Sequence, residues 1–159
     1  MAKKKNRKIL PLVMALIVVV LGSILFVGAA SGWFDSHKVK LDAEYYADGA
    51  EFMELTAGEY EGLIEAKKSF VVMVDQSGCT TADRLREYVT RYMTETGILV
   101  YKMMFAEVKE SSLHEKVKYY PSVAVIDKGK VAAYLRADED AEVYNNYNAF
   151  REWMEKYLQ

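Results

Sequence analysis

Residues 69–82 read SFVVMVDQSGCTTA, a run that passes from apolar to polar and then into the start of a helix. The segment 69–74 is apolar after its first serine and rich in valine, which is typical of a strand buried on both faces. The polar segment 75–78 predicts a turn. A helix over residues 81–96 follows, because apolar side chains recur at helical spacing, namely Ala82, Leu85, Val89, Tyr92 and Met93.

Outward from this stretch, strand-like and helix-like segments alternate along the chain. The pattern predicts strands over residues 51–55, 98–108, 122–126 and 131–135, and helices over residues 57–67, 111–118 and 148–158. Thr56 and Glu59 form a capping-box pattern before the first of these helices, and a glycine turn at residues 127–130 indicates a hairpin. The resulting order, β-α-β-α-β-α-β-β-α, predicts an α/β sandwich with a parallel sheet, helices on both faces and an antiparallel edge.

The amino-terminal part has a different character. Residues 9–30 carry no charge, and as a helix these 22 residues would extend about 33 Å, enough for the roughly 30 Å hydrocarbon core of a bilayer. Residues 1–8 contain five basic residues and no acid, which predicts a cytoplasmic amino terminus. The alternative is a cleaved signal peptide, with the small residues 28–30 near the cut, although an h-region usually has only about 7–15 residues.

The sequence therefore predicts four segments. They are a basic cytoplasmic end at 1–8, a single transmembrane helix in the lipid bilayer at 9–30, a juxtamembrane linker at 31–50 and a globular extracytoplasmic domain at 51–159.

Composition excludes several classes of protein. The hydrophobic fraction of 52% argues against wholesale disorder, and a single cysteine excludes an intrachain disulfide. The net charge of -2 provides no overall electrostatic attraction to nucleic acid. His37 and His114 lack partners at ligand spacing, and the acidic residues 138–142 lack the order of an EF-hand, so no metal site is predicted. Residues 138–147 are predicted to form an acidic, solvated loop. No phosphate loop or Ser-His-Asp set supports a kinase or hydrolase.

Two local motifs resemble the thioredoxin family. One is Gly78-Cys79-Thr80-Thr81-Ala82, between the buried strand and the next helix; the other is Tyr120-Pro121-Ser122, just before the final hairpin and helix. The resemblance spans about residues 51–158 and implies a thioredoxin-like sandwich, with a central mixed sheet of four to five strands flanked by helices. It also implies a cis proline at Pro121 that faces Cys79.

The chain departs from the family pattern at three positions. The second cysteine of the family's Cys-x-x-Cys motif is replaced by Ala82, and the tryptophan usually found before the first cysteine is Gly78. The buried acid of the family would fall near Met73, while Asp75 is predicted to lie in the turn.

These departures limit the chemistry that the resemblance implies. A thiolate at Cys79 can attack a disulfide, but without a second thiol at Ala82 it needs an external thiol to complete the cycle. The start of a helix favours a thiolate, whereas the nearby carboxylates of Asp75 and Asp83 oppose it. Residue order alone leaves the balance between these effects open.

The resemblance implies Cys79 as the candidate nucleophile and Tyr120, Pro121 and Gly78 as candidate substrate-binding residues, with no cofactor. The first functional hypothesis is a membrane-anchored extracytoplasmic protein that acts in thiol redox, or handles secreted cysteine-containing proteins, through one cysteine. Its expected partner is a cysteine-containing or extended peptide. The alternative is a non-catalytic binding or adaptor module, including an accessory to peptide or bacteriocin export. Exposure of the Cys79 thiol would favour the first hypothesis.

Overall fold

The computed structural model describes residues 38–46 and 51–159. A short 3-10 helix covers Ala43–Tyr45. The strands are β1 (Met53–Glu54), β2 (Phe70–Asp75), β3 (Val100–Met104), β4 (Ser122–Asp127) and β5 (Lys130–Tyr134). The helices are α1 (Ala57–Glu65), α2 (Thr80–Thr96), α3 (Phe105–Lys109), α4 (Leu113–Lys116) and α5 (Tyr147–Tyr157).

The five strands form one mixed sheet in the order β1-β3-β2-β4-β5. Strands β1, β3 and β2 are parallel, whereas β4 runs antiparallel to β2 and β5 antiparallel to β4. Every residue of β2 is buried, as its apolar sequence predicts for the middle strand of a covered sheet. The predicted α/β sandwich with a mixed sheet and a hairpin at its edge is confirmed.

The helix signals in the sequence have the expected local geometry. Thr56 and Glu59 form the reciprocal hydrogen bonds of a capping box at the start of α1. The five apolar residues predicted to form the inner face of α2 are all buried. Gly97 ends this helix in the left-handed conformation, and its N–H group donates to the carbonyl oxygen of Met93.

The predicted strand over residues 98–108 is too long. Strand β3 ends at Met104, which pairs with Asp75, the last residue of β2. Because β2 ends there, a longer β3 would lose its neighbour and leave backbone groups unpaired. The chain turns instead into the short helix α3, which buries Val108 completely.

The predicted linker is wrong for residues 38–46, which belong to the folded domain. Val39 and Tyr45 are each only 2% exposed. The backbone N–H group of Val39 donates to the carbonyl oxygen of Tyr157, and the ring of Tyr45 lies 6.2 Å from that of Phe70. Because these side chains complete the core, the domain begins by Lys38 rather than at residue 51.

The other amino-terminal predictions concern residues outside the described part of the chain. These are the basic end at 1–8, the membrane helix at 9–30 and the linker segments 31–37 and 47–50. Among residues 38–46 and 51–159, no helix combines the length and apolar character needed to cross a bilayer.

Candidate functional site

Cys79 lies where β2 passes into α2. It is the N-cap residue of α2, and its carbonyl oxygen accepts a hydrogen bond of 3.0 Å from the N–H group of Asp83. Gly78 precedes it with a φ of +73°, a left-handed conformation that favours glycine and allows the chain to turn sharply into the helix. The thiol is free and its side chain is half-buried. This position therefore combines partial exposure with the positive end of a helix.

Pro121 lies beside Cys79 because of the sheet topology. Val74, near the end of β2, pairs with Ser122 at the start of antiparallel β4, so the segment before β4 reaches the same edge of the sheet as the β2–α2 turn. The peptide bond between Tyr120 and Pro121 is cis. Cys79, Tyr120 and Pro121 line one open cavity of about 290 Å³, whereas Gly78 is not among its lining residues. Their roles in binding and catalysis remain predictions.

The phenol of Tyr120 is held in place from several sides. Its hydroxyl donates a 2.6 Å hydrogen bond to the carbonyl oxygen of Val117, and its ring lies 4.7 Å from that of Phe105. The Nδ1 atom of His114 is 3.3 Å from the same hydroxyl. Burial raises the pKa of Tyr120, so its hydroxyl remains a donor at neutral pH. A fixed aromatic wall therefore flanks the candidate nucleophile.

Another part of the cavity wall comes from the segment 137–145, which follows β5. Sequence reasoning missed this wall, because residues 138–147 read as an acidic, solvated loop. Ala137, Ala141, Tyr144 and Asn145 line the cavity. The Tyr144 hydroxyl donates a 2.9 Å hydrogen bond to the carbonyl oxygen of Pro121, and burial raises the pKa of this phenol. The segment is thus joined directly to the proline loop, and the aromatic Tyr144 among the acids was the overlooked signal.

The acidic residues of this segment join it to Tyr119 and Arg136, which lie outside it. Asp138 accepts a 2.7 Å hydrogen bond from the hydroxyl of Tyr119 and lies 3.2 Å from the guanidinium of Arg136. The hydrogen bond from Tyr119, with the nearby charge of Arg136, lowers the pKa of Asp138. Arg136 also pairs with Glu139 at 2.8 Å. Among the described residues, no group of three or more His, Cys, Asp or Glu side chains is arranged to hold a metal ion.

The prediction that Asp75 lies in the turn is wrong. It is the last residue of β2 and is 3% exposed, because its backbone continues the pairing with β3. Arg86 on α2 pairs with it at 2.9 Å. Met73, at the position of the family's buried acid, is completely buried, and so is Ala82 at the position of the second cysteine.

Solved thioredoxin structures resemble this chain in fold. A mutant thioredoxin from Halobacterium salinarum superposes with a TM-score of 0.55 at 14% identity, covering 71% of this chain and 96% of that one. Oxidised thioredoxin from Plasmodium falciparum has a TM-score of 0.53 at 17% identity, and the match covers 69% of this chain and 100% of that one. Reduced thioredoxin from Schistosoma mansoni has a TM-score of 0.52 at 16% identity, and the match covers 68% of this chain and 99% of that one.

Sequence comparison adds no closer relationship. No protein-family model matches the chain, and no curated protein matches it significantly. At these levels of identity the structural likeness concerns the fold alone. The described residues have the thioredoxin fold.

Proposed function

We propose that this chain is a membrane-anchored, extracytoplasmic thioredoxin-fold protein that captures cysteine-containing partners through Cys79 alone. The observation that carries this proposal is the position of Cys79. The thiol is half-buried at the start of α2 and opens into a cavity lined by Tyr120 and Pro121. A relic thiol needs no such cavity, whereas a nucleophile does.

The proposed reaction is the first half of thiol–disulfide exchange. The Cys79 thiolate attacks one sulfur of a partner disulfide, a new S–S bond forms, and the partner's other sulfur leaves as a thiolate. Ala82 carries no thiol that could attack the new bond. A second, external thiol therefore releases the partner and regenerates Cys79. The proposed partner segment is an extended peptide, because the Tyr120–Pro121 segment offers it an aromatic ring and backbone groups.

Trapping of mixed disulfides in cells tests this function. Cells that express the full chain are quenched with acid and alkylated, and the chain is then analysed without reductant. We expect a set of larger species that disappear on reduction and are absent from a Cys79→Ser variant, because the missing second thiol prolongs their lifetime. Absence of these species even after addition of a thiol oxidant would contradict the proposal.

The membrane topology is a proposal that rests on residues 1–8 and 9–30. Cys79 is the only cysteine, so its labelling reports directly on the side of the membrane where the domain lies. A membrane-impermeant maleimide is expected to label Cys79 in intact cells after removal of the cell wall, and labelling only after permeabilisation would contradict the topology. Carbonate extraction distinguishes the anchor, which stays with the membrane, from a cleaved signal peptide.

A non-catalytic binding or adaptor module is the second candidate. It is favoured by the hydrogen bond between Tyr144 and Pro121, which holds the cavity in shape without any contribution from the thiol. For such a module, Cys79→Ser would retain its partners in a pull-down from crosslinked cells. For the first candidate the same variant loses them.

A further inference from the structure

Arg86 joins the two elements between which Cys79 lies. Its Nε and Nη2 atoms donate to the carboxylate of Asp75, at 3.1 Å and 2.9 Å, and its Nη1 atom donates to Asp83 at 3.0 Å. Asp75 ends β2 four positions before Cys79, and Asp83 lies in the first turn of α2 four positions after it. Hydrogen bonding to Asp75 raises the pKa of Arg86, so the guanidinium keeps its charge. The Arg86 guanidinium therefore connects the end of β2 with the first turn of α2, on either side of Cys79 in the sequence.

The two carboxylates are the acids nearest to Cys79 in the sequence, and both would disfavour a thiolate. The titratable side chains that line the cavity from other elements are Tyr120 and Tyr144, and burial raises the pKa of each, so both are neutral near pH 7. Arg84, also on α2, donates a hydrogen bond to Asn145 in the cavity wall. No charged side chain of the described residues lines the cavity, so Asp75 and Asp83 are the carboxylates to consider first, because they lie closest to Cys79 along the chain.

We infer that Arg86 is a positioning residue that keeps Cys79 reactive by neutralising Asp75 and Asp83 and by fixing the turn between them. The inference rests on the proposed role of Cys79 as a nucleophile. Without Arg86, two uncompensated carboxylates lie four residues on either side of Cys79, and their charge would disfavour its thiolate form. The thiolate that does form is more basic and hence more nucleophilic.

The rate at which the full-length protein reacts with 2-hydroxyethyl disulfide, followed against pH, tests this inference. This probe is neutral, so a change in the charge of the site does not attract or repel it. We expect Arg86→Gln to react about threefold more slowly at pH 7, because the loss of thiolate outweighs the greater nucleophilicity of the thiolate that remains. Near pH 10 the variant should react faster than the wild type. A turn that is merely loosened would react faster at every pH, and that result would overturn the inference.

Further variants keep the test valid if Arg86→Gln folds poorly. Asp83→Asn removes the exposed carboxylate but keeps the pair between Arg86 and Asp75, and should react about twofold faster at pH 7. Arg86→Lys retains the charge and should stay within about twofold of the wild type. Arg151→Gln is the matched control, because it removes an arginine that pairs with Glu155 on α5.

The outcomes separate this inference from the proposed function. Equal rates for the wild type and Arg86→Gln at pH 7, or a slower Asp83→Asn, would overturn the inference and leave the role of Cys79 intact. A wild-type protein that fails to react with the disulfide would overturn both.

Discussion

A fragment of residues 38–159 is expected to unfold cooperatively in urea, whereas a fragment of residues 51–159 should be largely unfolded without denaturant. The shorter fragment lacks Val39, Leu41 and Tyr45, which are 2%, 3% and 2% exposed. Losing the burial of three such side chains costs about 6–9 kcal/mol in total, at about 2–3 kcal/mol each. Whole domains have only about 5–15 kcal/mol of stability. Far-UV circular dichroism of the two fragments measures the difference.

Two adjacent tyrosines provide a matched control within the longer fragment. Tyr45 packs against the rings of Phe70 and Tyr101, whereas Tyr46 is 46% exposed. Tyr45→Ala should lower the free energy of unfolding by about 3 kcal/mol, and Tyr46→Ala should change it by less than about 0.5 kcal/mol. Equal urea midpoints for both fragments, or for both variants, would show that residues 38–46 are a linker after all.

Ala82→Cys is expected to convert a protein without disulfide turnover into one that reduces insulin. Residue 82 lies three positions after Cys79 at the start of α2, and side chains three apart on a helix are neighbours. The new thiol could therefore attack a mixed disulfide at Cys79 and release the partner. We expect turnover with a dithiol reductant to rise by at least an order of magnitude over the wild type, which should remain at background.

Ala82→Ser is the matched control for this change. It adds an atom at the same fully buried position but no thiol, so it should stay at background. Insulin reduction by the wild type at the rate of the cysteine variant would contradict the account, because it would require a resolving thiol that the chain lacks.

The parts of the fold that were predictable from the sequence are those with strong local periodicity. The apolar run 69–74 and the helical spacing from Ala82 to Met93 place β2 and α2 almost to the residue. The hairpin at 127–130 has its glycine in the turn. Each of these signals depends on neighbouring residues only, and burial in the core reinforces all of them.

Other features depend on contacts between distant segments. Val39 and Leu41 alternate with lysines, a weak strand signal, but they are buried because they join the core of the domain, where Val39 hydrogen bonds to Tyr157 at the end of α5. The pair between Asp75 and Arg86 requires both the exact end of β2 and the rotation of α2. The cavity wall at Tyr144 depends on how the segment after β5 folds back over Pro121. Residue patterns contain no direct information about these distances.

The intact mass of the full-length protein after reaction with a peptide whose single cysteine carries a pyridyl disulfide tests the one-cysteine mechanism most directly. The pyridinethione that leaves is a poor nucleophile and does not attack the adduct again. We expect one peptide adduct on Cys79, absent from Cys79→Ser, which persists until an external thiol such as cysteine is added. In the Ala82→Cys protein the same adduct should disappear without added thiol, leaving an internal disulfide. An adduct that is released from the wild type without external thiol, or failure of Cys79 to form one, would contradict the account.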